Sequence, residues 1–380
     1  MNSLFRSLIC IILAGLFFAG LYAQNLVPGQ ESWRYLGMAR SAFDRGEYGM
    51  ALQLTEQARE KHRQESRWRH STLLQAVSPT EVKRAGEEIL QVRDVLVRRN
   101  DLPAVEIIDD LVLLKGGDAT GISFFGNSIS RMVEWLSLRS VFPEADMLSG
   151  QVYEAEGEYL QALRFYETAW KNRDFLDIPD KRYDLLYRMA SVAGWAGRED
   201  SREQYLLLVL ADDPLFGEPG NEGPVLRSMI RTLSQEPDTE KFFLLYRHTN
   251  YTALQALRDL THFYGHTSRR YDRALSTAAL AAVISVTRIE EAVMSRDYRY
   301  RYSGLADLMQ RAAADREIMA WSRNHGAWDS LLQLARILGD RRSGNTLAIA
   351  IHLFQELADF CPDDQISQAA RHELSVISGR

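Results

Sequence analysis

The chain has 380 residues, 46% of them hydrophobic and 25% charged, with a formal net charge of -6. These values exclude a disordered or fibrous chain and allow one large core, two domains or an extended array of small units. No basic block stands out that would neutralise a phosphate backbone, so nucleic acid is not an expected partner, and ten prolines point toward helix.

The first residues, "MNSLFRSLICIILAGLFFAGLYAQ", carry one charge, Arg6, then an apolar run from Leu8 to Leu21 and a small residue, Ala23. That order reads as a secretory signal peptide over 1–23, either cleaved after Ala23 or kept as an anchor. Its removal leaves Cys361 as the single cysteine, so stability must come from packing, not disulfides. An exported chain of this kind fits a bacterial periplasm or cell envelope.

Beyond the leader, "YLGMARSAFDRGEYGMALQLTEQARE" sets small residues at Ala39, Gly46, Ala51 and Ala58. Further helices are expected over 66–77 and 126–141, with another pair opening at Ser78–Pro79. The glycine-rich loop 115–128 lacks the Gly-Lys-Ser/Thr ending of a phosphate-binding loop and reads as a connection between helices.

"GQVYEAEGEYLQALRFYETA" then repeats the first frame. Gly150, Gly157, Ala162 and Ala169 align with Ala39, Gly46, Ala51 and Ala58, and Tyr159 with Tyr48. A third copy keeps Met189, Ala190, Gly197 and Pro214, with Glu199 and Arg202 at other repeat positions. Each copy gives a helix, a tight turn through a glycine, and a second helix. Small residues at Gly150 and Ala162 let two antiparallel backbones approach, with Tyr153, Tyr159 and Tyr166 around them. Gly157 supplies the left-handed conformation that ends a helix.

The cluster "DDPLFGEPGNEGPV" (212–225) marks an exposed loop, either between two blocks or between two repeats. The expected organisation is a leader (1–23), a helical array (24–215), a loop (216–225) and a C-terminal helical block (226–380). In that block Tyr271, Ala274, Ala278 and Ala281 give a weaker copy of the frame, and Ala350, Phe354 and Pro362 read as another second helix.

This pattern of small and aromatic residues resembles the tetratricopeptide repeat (TPR) family, whose unit has about 34 residues. Gly150, Tyr153, Gly157, Tyr159, Ala162, Tyr166 and Ala169 carry the resemblance most fully. It implies an all-α, right-handed solenoid of antiparallel helix pairs, here with extra inserted helices because the copies are unevenly spaced. It also implies a groove lined by first helices that holds a peptide or partner protein. Groove-facing positions fall on Arg40, Phe43, Gln151, Glu154, Tyr187, Ser191 and Trp195.

No catalytic set assembles from the sequence. His262 and His266 stand four apart and are a weak candidate metal pair, but Phe263 occupies the place of a metalloprotease glutamate and zinc needs three or four ligands, so no metal is expected; His248 is the residue to test as a third ligand. The alternation of Arg and Tyr in "SRDYRYRYSGLAD" reads as a solvated helix start or a contact between helices. Adjacent pairs such as Asp109–Asp110 and Glu290–Glu291 diverge on a helix. The expectation is a non-catalytic interaction scaffold without cofactor, touching a membrane only through an uncleaved leader. The alternative is a small-ligand-binding or transporter-associated TPR-like protein of the periplasm.

Overall fold

A computed structural model describes residues 31–76, 94, 97, 140–211, 213, 215, 216, 223–235, 238–340 and 344–378. The leader, the loop 115–128, Asp109–Asp110 and residues 126–139 of the helix expected over 126–141 lie outside these residues, as does the pair expected from 77 onward except for Asp94 and Val97; Ser140 and Val141, the end of that expected helix, are not helical. The described residues form helices and turns, without a strand. The chain divides into two compact units, Met1–Leu185 and Leu186–Arg380. The division falls inside a helix, and the loop at 216–225 lies mostly outside the described residues.

In the first unit α1 (Glu31–Asp44) pairs with α2 (Tyr48–Ala76), and α3 (Pro143–Ala155) with α4 (Tyr159–Lys171). α2 does not stop after one repeat length. From Met50 to Ala76 there is no glycine or proline to break it, so residues 66–76 continue one helix of 29 residues rather than starting another. α5 (Lys181–Trp195) and α6 (Glu199–Val209) follow.

The three turn glycines aligned from the sequence share one geometry. Gly46, Gly157 and Gly197 have φ of 76°, 78° and 71°. At each turn the next residue's N–H reaches back five positions, from Glu47 to Ala42, Glu158 to Tyr153 and Arg198 to Ala193, at 2.8–2.9 Å. This is the Schellman closure, and it satisfies carbonyls that the ending helix leaves open.

Between α3 and α4 the fit depends on Gly150. A Cβ there would overlap Cε1 of the fully buried Tyr166 ring and lie 2.6 Å from its Cδ1. Where the ring is replaced by Thr55 or Leu206, the position equivalent to Gly150 holds Ala39 or Ala190. Ala51, Ala58, Ala162 and Ala169 are all fully buried.

The second pair packs on the first through α2 and α3. Ala39, Ala42, Ala51 and Leu54 join Leu148 and Val152 in one core cluster. Beside it, Arg59 binds Asp146 at 2.9 Å, Ser149 Oγ at 2.6 Å and the Ala145 carbonyl at 3.3 Å. Burial raises the Asp146 pKa, and Arg59 works against that rise.

The second unit is built around one long helix. α7 (Pro224–Gln235), α8 (Thr239–Leu245) and α9 (Leu254–His262) precede a π-helical turn (Phe263–Thr267), and α10 (Tyr271–Arg296) follows. Every residue of α10 from Ala274 to Thr287 is buried. The sequence marks Tyr271, Ala274, Ala278 and Ala281 as a weaker copy of the repeat frame, whereas here burial extends to every face of the helix. Alanine is the commonest residue of the run, so neighbours can close on it from every side. Its hydroxyls are satisfied locally: Ser285 donates to the Ala281 carbonyl at 2.8 Å and Thr277 accepts from Thr261 at 2.9 Å.

α11 (Leu305–Ala313), α12 (Arg316–Asn324), α13 (Ala327–Asp340), α14 (Gly344–Phe360) and α15 (Asp364–Ser378) complete this unit. α13, α14 and α15 pack as successive neighbours. Ala350 and Phe354, read from the sequence as core of a second helix, are buried and lie opposite Gly339 of α13. α6 is tied to the rest by Glu203, which accepts from Tyr264, Arg270 and Arg273 at 2.8–3.0 Å. Burial and that carboxylate push the Tyr264 hydroxyl up to about 12.

Gly150→Ala should cost about 1–3 kcal/mol of stability in chemical denaturation, by forcing Tyr166 out of its position. In a Tyr166→Leu background the same change should cost much less, because the Ala190 and Leu206 combination is then reproduced. Equal costs in both backgrounds would mean that the ring does not set the helix approach.

Candidate functional site

The residues proposed to face a groove are divided between the units. In the first, Arg40 on α1 and Gln151 on α3 meet: Arg40 Nη1 donates to Gln151 Oε1 at 2.5 Å. This contact brings together α1 and α3, the first helices of the two described pairs. Glu154, one turn along α3 from Gln151, accepts a short hydrogen bond from the Tyr166 hydroxyl. Phe43 packs half-buried on the core cluster beside Tyr48, their ring centroids 5.9 Å apart. Arg40 is exposed, Glu154 half-buried and Gln151 buried beneath them.

This arrangement offers a cation, a carboxylate and an amide along one edge of α1 and α3. Their side chains can take the carbonyls, amides and charged groups of an extended peptide. The amide of Gln151 keeps its N–H₂ group for such a bond while its oxygen holds Arg40.

In the second unit Tyr187 is committed to structure. Its hydroxyl donates to the Thr252 carbonyl and accepts from the Ala256 N–H at 3.1 Å. Ser191 is half-buried, and Trp195 is 57% exposed. The repeat resemblance that places these three on the groove face does not reveal that Tyr187 ends against the turn before α9.

The histidines separate. His262 and His266 do come together, with ring centroids 4.8 Å apart, and both are exposed. His248 is not their third ligand. It is buried, and its Nε2 lies 2.7 Å from Asp213 Oδ2. The pair lies exposed at the π-helical turn, while a non-helical stretch carries His248 to α10, where its N–H meets Thr287 Oγ1 at 3.2 Å. Among the described residues no group of three His, Cys, Asp or Glu converges as a metal site.

Asp213 also accepts from Asn250 Nδ2 at 2.7 Å and from the Leu215 N–H at 2.8 Å. Burial pushes its pKa upward, but the bonds from His248, Leu215 and Asn250 outweigh burial and hold it below the usual carboxylate value. Sequence reasoning missed this knot because its members lie more than thirty positions apart, in a loop and a non-helical stretch without periodicity. Cys361 is half-buried, and burial pushes its thiol up to about 12. The Arg–Tyr segment alternates: Arg299 and Arg301 are exposed, Tyr300 is buried and Tyr302 half-buried. No described helix is long and apolar enough to cross a membrane.

Comparison with known proteins gives one full-length relative. A protein of Treponema pallidum (strain Nichols), described as uncharacterized, is 33% identical over 381 residues, covering 99% of this chain and 100% of that protein. The chain belongs to the family of that protein. No family profile and no solved structure matches.

Removing one partner of the Asp213–His248 pair leaves the other buried without its counterpart, so His248→Ala should cost about 3 kcal/mol. The lowered pKa of Asp213 means that its stabilisation is complete above the unfolded carboxylate value, about 4, and is lost as pH falls through the folded value. Asp213→Asn should therefore flatten the acid limb of the stability curve. An unchanged acid limb in urea titrations across pH would contradict this role.

Proposed function

We propose that the protein is a non-catalytic interaction scaffold of the bacterial cell envelope that holds a peptide or partner protein along the first helices of its repeated pairs. The supporting observation is the meeting of Arg40 and Gln151, which sets α1 and α3 side by side with a mixed polar edge. A single helix pair offers too little surface for an extended peptide, whereas two aligned first helices offer a continuous one.

The finer architecture follows the same reading. The common turn at Gly46, Gly157 and Gly197, and the packing of α2 on α3, support a right-handed, TPR-like α-solenoid in the N-terminal half, interrupted by longer helices. Export rests on the leader-like sequence of residues 1–23. Arg40, Gln151 and Glu154 are the proposed contacts of the first unit, with Phe43 supporting them from below. Ser191 and the exposed Trp195 are the proposed contacts of α5, and Tyr187 holds its neighbourhood in shape.

Site-specific photo-crosslinking tests this reading in the organism's own envelope. A photoreactive residue at position 40 or 154 should give a discrete adduct with one protein, and one at the exposed position 161 on α4 should not. Adducts of equal yield from all three positions, or from none, would overturn the groove.

A further inference from the structure

α10 carries a guanidinium whose environment differs from that of the other arginines around it. Arg247 pairs with Glu290, Arg258 with Asp329, Arg270 and Arg273 with Glu203, and Arg296 with Asp315 and Glu317. Arg288 instead stands between two rings. Its guanidinium carbon lies 5.2 Å from the centroid of Tyr251 and 5.8 Å from that of Trp321. Among the described residues no carboxylate comes within 4.0 Å of it and no hydrogen bond engages its N–H groups.

Both rings are fixed from behind. Trp321 stacks on His325 with centroids 4.7 Å apart, and His325 Nδ1 donates to the Trp321 carbonyl at 2.9 Å. Arg258 donates to the His325 carbonyl and to Asp329, at 2.9 Å each, which pins the corner between α12 and α13. On the other side Tyr187 holds the turn that carries Tyr251, through Thr252 and Ala256. The Tyr251 hydroxyl donates to Glu291, one turn along α10.

Rings near the guanidinium limit its rotamers and leave its N–H groups as the polar part still open to a ligand. A planar fork of fixed donors fits a carboxylate bidentately and loses little freedom on binding it. Asp329 is paired with Arg258, and Glu291 accepts from the Tyr251 hydroxyl, so neither carboxylate is bonded to Arg288. The uncommitted positive charge at this point is that of Arg288.

We propose that the Tyr251–Arg288–Trp321 stack is a docking point for an acidic peptide segment, one of whose carboxylates is taken by the Arg288 guanidinium. The site lies wholly in the second unit and does not depend on the groove residues Arg40 and Gln151.

Fluorescence anisotropy of a labelled, N-acetylated hexaglutamate peptide titrated with the full chain tests this, with hexaglutamine as control. The chain should bind hexaglutamate and not hexaglutamine. Arg288→Lys keeps the charge but loses the fork, and should weaken binding about tenfold or more. Glu291→Gln removes the nearby carboxylate and should tighten it severalfold. Circular dichroism and thermal unfolding establish that each variant is folded. Absence of binding by the folded wild-type chain, equal affinity in Arg288→Lys, or no change in Glu291→Gln would each overturn the proposal.

Discussion

The close approach of α3 and α4 at Gly150 is the constraint on which the first unit depends. A glycine there lets the Tyr166 ring lie against the α3 backbone, and the ring's hydroxyl then reaches Glu154 on the same helix. One residue choice therefore sets an interhelical distance and the posture of a carboxylate at the candidate groove. The left-handed turn at Gly157 makes the approach possible by reversing the chain within a few residues. Without it the two helices would leave their facing small residues unpaired.

The second unit solves the burial problem differently. Its central helix has no glycine or proline from Tyr271 to Arg296, so it runs unbroken, and its alanines allow neighbours on all sides. Charged residues are confined to its two ends. There they serve as anchors, with Arg273 meeting Glu203 near the start and Arg296 meeting Asp315 and Glu317 at the finish. Arg288 lies where burial gives way to the surface, between the rings of Tyr251 and Trp321.

Much of the helical framework was legible in the sequence. Gly46, Gly157 and Gly197 marked true reversals because a positive φ leaves little choice of residue, and the offsets of Ala51 and Ala162 reported real burial. Helix length was less legible: the frame around Ala58 gave no sign that α2 would continue, since continuation needs only the absence of a breaker. The frame at Tyr271, Ala274, Ala278 and Ala281 gave no sign of burial on every face, because alanine is compatible with both a packed stripe and full burial. Side-chain partners at long range were not legible at all. Asp213 with His248, and Arg288 with Tyr251 and Trp321, are brought together by the fold and leave no periodic trace.

The first unit is held as stacked pairs by a polar tie as well as by its apolar core, since Arg59 of α2 reaches Asp146 and Ser149 of α3. That tie joins one pair to the next, and the proposed groove requires the join. A double-mutant cycle between Arg59→Ala and Asp146→Ala, read by urea unfolding, measures it directly. The expected coupling energy is about 1–3 kcal/mol for a partly buried pair in contact. Additivity of the two changes within about 0.3 kcal/mol would contradict the stacking of α2 on α3.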